Sequence, residues 1–111
     1  MSYRIIPVDK FKKEAKRLIK KYPSLKDELI EFNNKLEQNP TIGTALGNNT
    51  FKIRLSIKSK GAGKSGGARI ITYLINEQNE VYLLTIYDKA DLDTVEDTVL
   101  KKIIQQIKFK K

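Results

Sequence analysis

The sequence predicts a small α+β domain in which a helical hairpin covers one face of an antiparallel sheet and a final helix closes the chain. Three observations predict it. Apolar residues recur at helical spacing from Phe11 to Leu36, the pattern switches to strict alternation between Phe51 and Lys58, and a helical stripe returns after Asp93. A chain of 111 residues suffices for one hydrophobic core and is too short for two, so residues 1–111 are expected to form a single domain. The expected order is β-α-α-β-β-β-α.

Tyr3 to Val8 is short and β-prone, and Pro7 assigns it to a sheet edge. Asp9 is the expected N-cap of the first helix. Phe11, Ala15, Leu18, Ile19 and Tyr22 mark its buried face, with lysines and Arg17 on the other. Tyr22-Pro23-Ser24 breaks it, and Ser24 is placed to cap a second helix with the stripe Leu25, Leu29, Phe32 and Leu36. Asn39-Pro40 ends that helix. Residues 41–50, with Gly43, Gly47, Asn48 and Asn49, read as a loop. Strands are expected at 51–58, at Ala68 to Ile75 and at Glu80 to Tyr87, the last two joined by a tight turn at Asn76 to Asn79. Asp93 or Thr94 opens the last helix, whose expected stripe is Val95, Val99, Ile103 and Ile107 with Ile104 beside it.

Composition removes several chemistries. There is no Cys and no His, which excludes disulfides, thiolate nucleophiles, Cys/His metal sites and imidazole acid–base catalysis. No apolar run approaches the roughly 20 residues of a membrane span, and Pro7 and Asp9 interrupt any signal-peptide core. The expected location is therefore the cytoplasm, with no membrane partner. The net charge is +9, from 22 Lys and Arg against 13 Asp and Glu, and its distribution is uneven. Gln38 to Asn76 contains no acid, yet it carries Lys52, Arg54, Lys58, Lys60, Lys64 and Arg69. A one-sided positive field of this kind suits a polyanion such as nucleic acid.

The strand at 51–58 carries most of the information. Alternation is expected to put Lys52, Arg54 and Lys58 on one face and Phe51, Ile53, Leu55 and Ile57 on the other. Like charges on one face repel, and a phosphate between them relieves the repulsion. Gly61-Ala62-Gly63-Lys64-Ser65-Gly66-Gly67 is not a P-loop, because the glycine that pattern requires five residues before Gly63 is Lys58, and a strand follows in place of a helix. A basic loop lying against an RNA backbone, or a plain linker, fits it better. Arg69 opens an otherwise apolar strand, where its fork is suited to clamp a phosphate. Tyr87 is either core or a base-stacking ring, and Lys89 adds a cation beside Asp88 and Asp91. The carboxylates of the last helix read as a solvated face with partners such as Asp97–Lys101. No spaced carboxylate pair points to a metal nuclease.

Taken in order, Phe51-Lys52-Ile53-Arg54, Lys58 to Lys60, Gly66-Gly67-Ala68-Arg69-Ile70-Ile71-Thr72-Tyr73 and Tyr82-Leu83-Leu84-Thr85-Ile86-Tyr87-Asp88-Lys89 resemble the RelE/ParE toxin superfamily of type II toxin–antitoxin systems, in particular its HigB-like branch. The match covers roughly residues 50–105; the N-terminal hairpin agrees by topology. The resemblance implies a RelE-like fold and a ribosome-dependent mRNA endonuclease. Such an enzyme cuts A-site codons by attack of the ribose 2′-OH, needs no metal or cofactor, blocks translation and is silenced by a cognate antitoxin. It assigns Arg54, Lys58, Lys60 and Arg69 as catalytic cations, with Lys52, Lys64, Tyr87 and Lys89 holding RNA or the ribosome. Arg69 is expected to stabilise charge growing on the phosphate. A Lys crowded by other cations gives up its proton more readily, which makes Lys58 or Lys60 the candidate base or acid. Many relatives carry a Tyr in or before the last helix. Ala90 to Ile107 has none, so Tyr87 fills that role or it stays unfilled.

Two other functions share this fold and charge. A ParE-like toxin binds DNA gyrase and has no use for a Lys/Arg strand pair, and a non-catalytic RNA-binding domain would keep the charges and lose the cleavage. An acidic or amphipathic antitoxin is the expected protein partner, neutralising the toxin by covering the basic face or displacing the last helix.

Overall fold

The computed structural model describes residues 2–60, 67–91 and 95–109, with the Phe109 side chain outside the description. Its centre is a five-stranded sheet in the order β1-β5-β4-β3-β2, with β1 at Arg4–Pro7, β2 at Thr44–Gly47, β3 at Thr50–Leu55, β4 at Ala68–Ile75 and β5 at Glu80–Asp88. Helices α1 (Asp9–Lys21) and α2 (Leu25–Gln38) cover one face, and α3 (Asp97–Phe109) lies on the other. No helix among the described residues is long and apolar enough to cross a membrane.

The hairpin face holds the larger core. Phe11, Ala15 and Leu18 of α1 and Leu25, Phe32 and Leu36 of α2 pack on Ile53, Ile70, Leu74, Val81 and Ile86, as the two helical stripes predict. Pro7 does sit on an edge strand, where β1 runs parallel to β5 and the missing N–H costs no ladder bond. Val8, not Asp9, occupies the N-cap position of α1, and Asp9 is the first helical residue, where its charge suits the positive end of the helix.

The second core lies between the sheet and α3, where Ile71, Tyr73, Leu84 and Tyr87 meet Leu100, Ile103 and Ile107. The α3 stripe differs from the expected one: Leu100 is buried and Val99 exposed. Steps of four drift about 40° around a helix, so a run of three such steps wanders off the contact line, whereas Leu100, Ile103 and Ile107 alternate steps of three and four and stay on it. No ion pair joins Asp97 to Lys101 among the described residues. The expected helix start at Asp93 or Thr94 lies outside them.

The expected loop at 41–50 contains an extra strand, β2. Asn48 and Asn49 both have positive φ, 53° and 62°, and Gly47 pairs with Thr50. That is a two-residue hairpin turn whose twist suits the flanking strands. β2 is four residues long and exposed throughout, so it has no apolar alternation to announce it. β3 also ends sooner than alternation suggests, at Leu55. Glu28 Oε2 accepts the Lys58 N–H at 2.8 Å, Ser24 Oγ accepts the Ser59 N–H at 2.8 Å, and Ser59 Oγ accepts the Ser24 N–H at 3.1 Å. These bonds fold Lys58–Lys60 into a 3-10 turn against the start of α2. Lys58 therefore does not continue the strand face of Lys52 and Arg54, although Ile57 still reaches the core.

Candidate active site

β3 and β4 run antiparallel with Arg54 directly opposite Arg69, and β4 and β5 place Arg69 opposite Tyr87. Residues in direct register share a face, so Arg54, Arg69 and Tyr87 form one row across three strands. Lys52 stands one step along, opposite Ile71. Ile71 and Tyr87 belong to the core beneath α3, which puts the row on the α3 side of the sheet.

The two guanidinium groups sit in different surroundings. Arg54 is exposed; Arg69 is 3% exposed, and its Nη1 donates to the Ala68 carbonyl at 3.2 Å. No carboxylate among the described residues forms an ion pair with either. A buried guanidinium has five donors to satisfy, and among the described residues the Ala68 carbonyl serves one of them. The close approach of β4 to β3 depends on Gly67, since a Cβ there would collide with the Leu55 carbonyl.

Lys60 lies in a different place. Its ammonium pairs with the Asp88 carboxylate, with side chains 11% and 1% exposed, and stands 5.7 Å from the centre of the Tyr22 ring. Asp88 also accepts from the Tyr22 hydroxyl at 2.8 Å and the Ala90 N–H at 2.9 Å. Burial pushes this carboxyl up, but Lys60, the Ala90 N–H and the Tyr22 hydroxyl outweigh it and hold it below the ordinary carboxylate range. Asp88 is paired with Ala68, one residue from the arginine row and on the hairpin side. Lys60 is thus neutralised by a carboxylate, not crowded by cations as the sequence suggests.

The remaining positions are dispersed. Lys58 is exposed at the 3-10 turn, in a groove that Arg54 also lines and that Glu28 and Glu31 border from α2. Lys89 is half-buried, and its N–H donates to the Gly67 carbonyl at 3.2 Å. Tyr87 is 6% exposed, its ring packed with Leu100 and Ile103. Lys64 lies outside the described residues. The structure therefore brings together Lys52, Arg54, Arg69 and Tyr87, leaves Lys58 at their margin, and sets Lys60 behind the sheet. Sequence reasoning missed the joint role of Tyr22 and Asp88, which lie 66 residues apart and carry no local signal. Chemically, the row offers bidentate cation contacts for a phosphate.

No protein-family model matches the sequence. The architecture, a sheet backed by a helical hairpin with a last helix on the opposite face, is that of the RelE toxin fold. The E. coli toxin RelE, solved free as a double arginine-to-alanine mutant, superposes with a TM-score of 0.65 at 18% identity over 96% of this chain and 99% of that one. The isolated E. coli RelE toxin gives 0.62 at 17% identity over 96% and 99%. A chain of the intact E. coli RelBE toxin–antitoxin complex gives 0.60 at 19% identity over 77% and 94%.

Proposed function

We propose that this chain is the toxin of a type II toxin–antitoxin pair, a metal-independent endoribonuclease that acts in the cytoplasm and cuts mRNA in the ribosomal A site. The observation that carries the reading is the Arg54–Arg69 cross-strand pair, two cations in register with no carboxylate among the described residues paired to either. Such a pair is adverse for folding and favourable once a phosphodiester lies across it. The fold it shares with RelE supports the reading, and the solved RelBE complex supports a protein antitoxin as partner. The HigB-like branch rests on the residue series alone.

In this mechanism the ribose 2′-oxygen attacks the adjacent phosphorus, its proton passes to a base, and the 5′-oxygen of the next nucleotide leaves with a proton. Arg69 and Arg54 meet the charge that grows on the non-bridging oxygens. Lys58, the exposed lysine at the margin of the row, is the better candidate for proton transfer. Lys60 and Asp88 hold the end of β5, and with it the strand partner of Arg69. Lys52, Lys64 and Lys89 extend the contact with the RNA backbone, and Tyr87 seats Arg69 through its buried ring. The ribosome supplies in-line positioning of the substrate.

The test is primer extension on mRNA in a programmed translation system, with and without ribosomes, using wild type, Arg54→Ala, Arg69→Ala and Lys58→Ala. Ribosome-dependent cuts in the A-site codon that vanish in the arginine variants sustain the proposal. Intact mRNA with wild type sinks it.

A further inference from the structure

Helix α1 carries seven basic residues against Asp9 and Glu14, and Glu14 is turned inward, accepting from the Thr85 hydroxyl at 2.7 Å and the Ile86 N–H at 3.3 Å. What remains outside is cationic. Lys12, Lys16 and Lys20 form one i,i+4 row and Lys13, Arg17 and Lys21 a second, all exposed, opposite the buried Phe11, Ala15 and Leu18. Each row climbs about 6 Å per step along a straight helix. Like charges at this spacing weaken a helix, and among the described residues none of the six enters an ion pair. α2 alongside keeps the opposite balance, with Asp27, Glu28, Glu31 and Glu37 against Lys26 and Lys35. The segregation is specific to one helix of the hairpin.

We propose that the outer face of α1 is a second RNA-binding surface, which takes the phosphate backbone of a double-helical RNA. It goes beyond the cleavage site, because α1 packs on the hairpin face and Arg54 and Arg69 stand on the other. Charge complementarity selects a polyanion, and two further features select its kind. An anionic membrane holds a basic amphipathic helix through its apolar face, and in α1 that face is buried against β5. Single-stranded RNA is held by aromatic rings on which bases stack. Among the described residues the rings beside this surface are Phe11, which is buried, and Tyr22, whose hydroxyl is bonded to Asp88 and whose ring already lies 5.4 Å from the Lys21 ammonium and 5.7 Å from that of Lys60. A face of cations whose neighbouring rings are buried or already engaged reads backbone charge and shape, which is how duplex RNA is recognised. Glu14 and Tyr22 tie α1 to β5, so the rows are presented rigidly.

The experiment is binding of the full chain to a fluorescent RNA duplex without unpaired bases, measured across a salt series. It compares wild type, Lys12→Gln/Lys16→Gln/Lys20→Gln, Lys13→Gln/Arg17→Gln, and Arg54→Ala/Arg69→Ala. Phosphatidylserine vesicles serve as the competing anionic surface, and thermal melts of each variant confirm folding. We expect the α1 variants to bind at least tenfold more weakly, with a salt slope lower by about one unit per contact removed, and the arginine variant to lose less affinity than either of them. Wild-type affinity in both α1 variants overturns the proposal, as does failure of wild type to bind duplex. Loss of vesicle binding with duplex binding intact overturns it too, in favour of a membrane surface. A-site cleavage is read separately, so duplex binding without cleavage removes the nuclease and leaves the α1 surface standing.

Discussion

Arg54 and Arg69 face each other across the β3–β4 ladder, one exposed and one buried, with no carboxylate among the described residues paired to either. Like charges directly opposite in a sheet destabilise it, by a few tenths of a kcal/mol to about 1 kcal/mol. Arg54→Gln is therefore expected to leave the urea unfolding midpoint unchanged or raise it, while A-site cleavage falls about 100-fold to 1000-fold, the range for removal of one charge-stabilising donor. A parallel fall in stability and cleavage would make Arg54 a structural residue.

The same pair is expected to bind small phosphate-like anions. Inorganic phosphate at constant ionic strength should raise the wild-type melting temperature more than chloride does, with a saturable dependence on concentration. Arg69→Gln should show only the non-saturable salting effect. Identical curves for the two proteins would mean that no anion sits between the arginines.

The α+β class, the hairpin stripes and the β4–β5 hairpin were legible in the sequence because each rests on a period that one face of one element enforces. The row of Lys52, Arg54 and Arg69 was legible for the same reason, although the direct opposition of the two arginines needs the strand register. Three features left no such trace. β2 is exposed throughout, so nothing alternates. The end of β3 is set by Ser24 and Glu28, some 30 residues earlier. Lys60 is placed among the catalytic cations by the resemblance, in a stretch of sequence without acids, whereas its neighbours in space are Asp88 and Tyr22.

That last grouping carries a stability prediction. Breaking a buried ion pair leaves an uncompensated charge, at a cost of about 3–5 kcal/mol. Lys60→Met is expected near the lower end, since Tyr22 and the Ala90 N–H still serve Asp88. Urea unfolding of Lys60→Met, Tyr22→Phe and the double variant measures the coupling. Additive losses would show that the two partners act on Asp88 independently.

The Asp88 cluster also sets an acid response. Its carboxyl is held below the ordinary range in the folded chain, whereas in the unfolded chain it takes up a proton near pH 4. The unfolded state thus binds the proton first as pH falls. The stability contributed by Asp88 is full above about pH 4 and is lost as pH drops toward the lower folded value. Unfolding midpoints measured from pH 6 to pH 3 are expected to fall more steeply for wild type than for Asp88→Asn, which has no charge to lose there. Equal slopes would assign the acid sensitivity to other carboxylates.

Tyr87 separates packing from chemistry. Its ring lies in the α3 core with Leu100 and Ile103, opposite Arg69 in the ladder, so its effect on cleavage is expected to pass through the position of that guanidinium. Tyr87→Phe keeps the ring and loses only the buried hydroxyl oxygen, and should retain stability within about 1 kcal/mol, the usual worth of one hydroxyl contact, and cleavage within about tenfold. Tyr87→Ala opens a cavity beneath α3, expected to cost about 3–5 kcal/mol, and should lower cleavage even at temperatures where the variant is folded. If Tyr87→Phe instead abolishes cleavage with its melting temperature intact, the hydroxyl takes part in proton transfer. The acid–base role given to Lys58 would then pass to Tyr87.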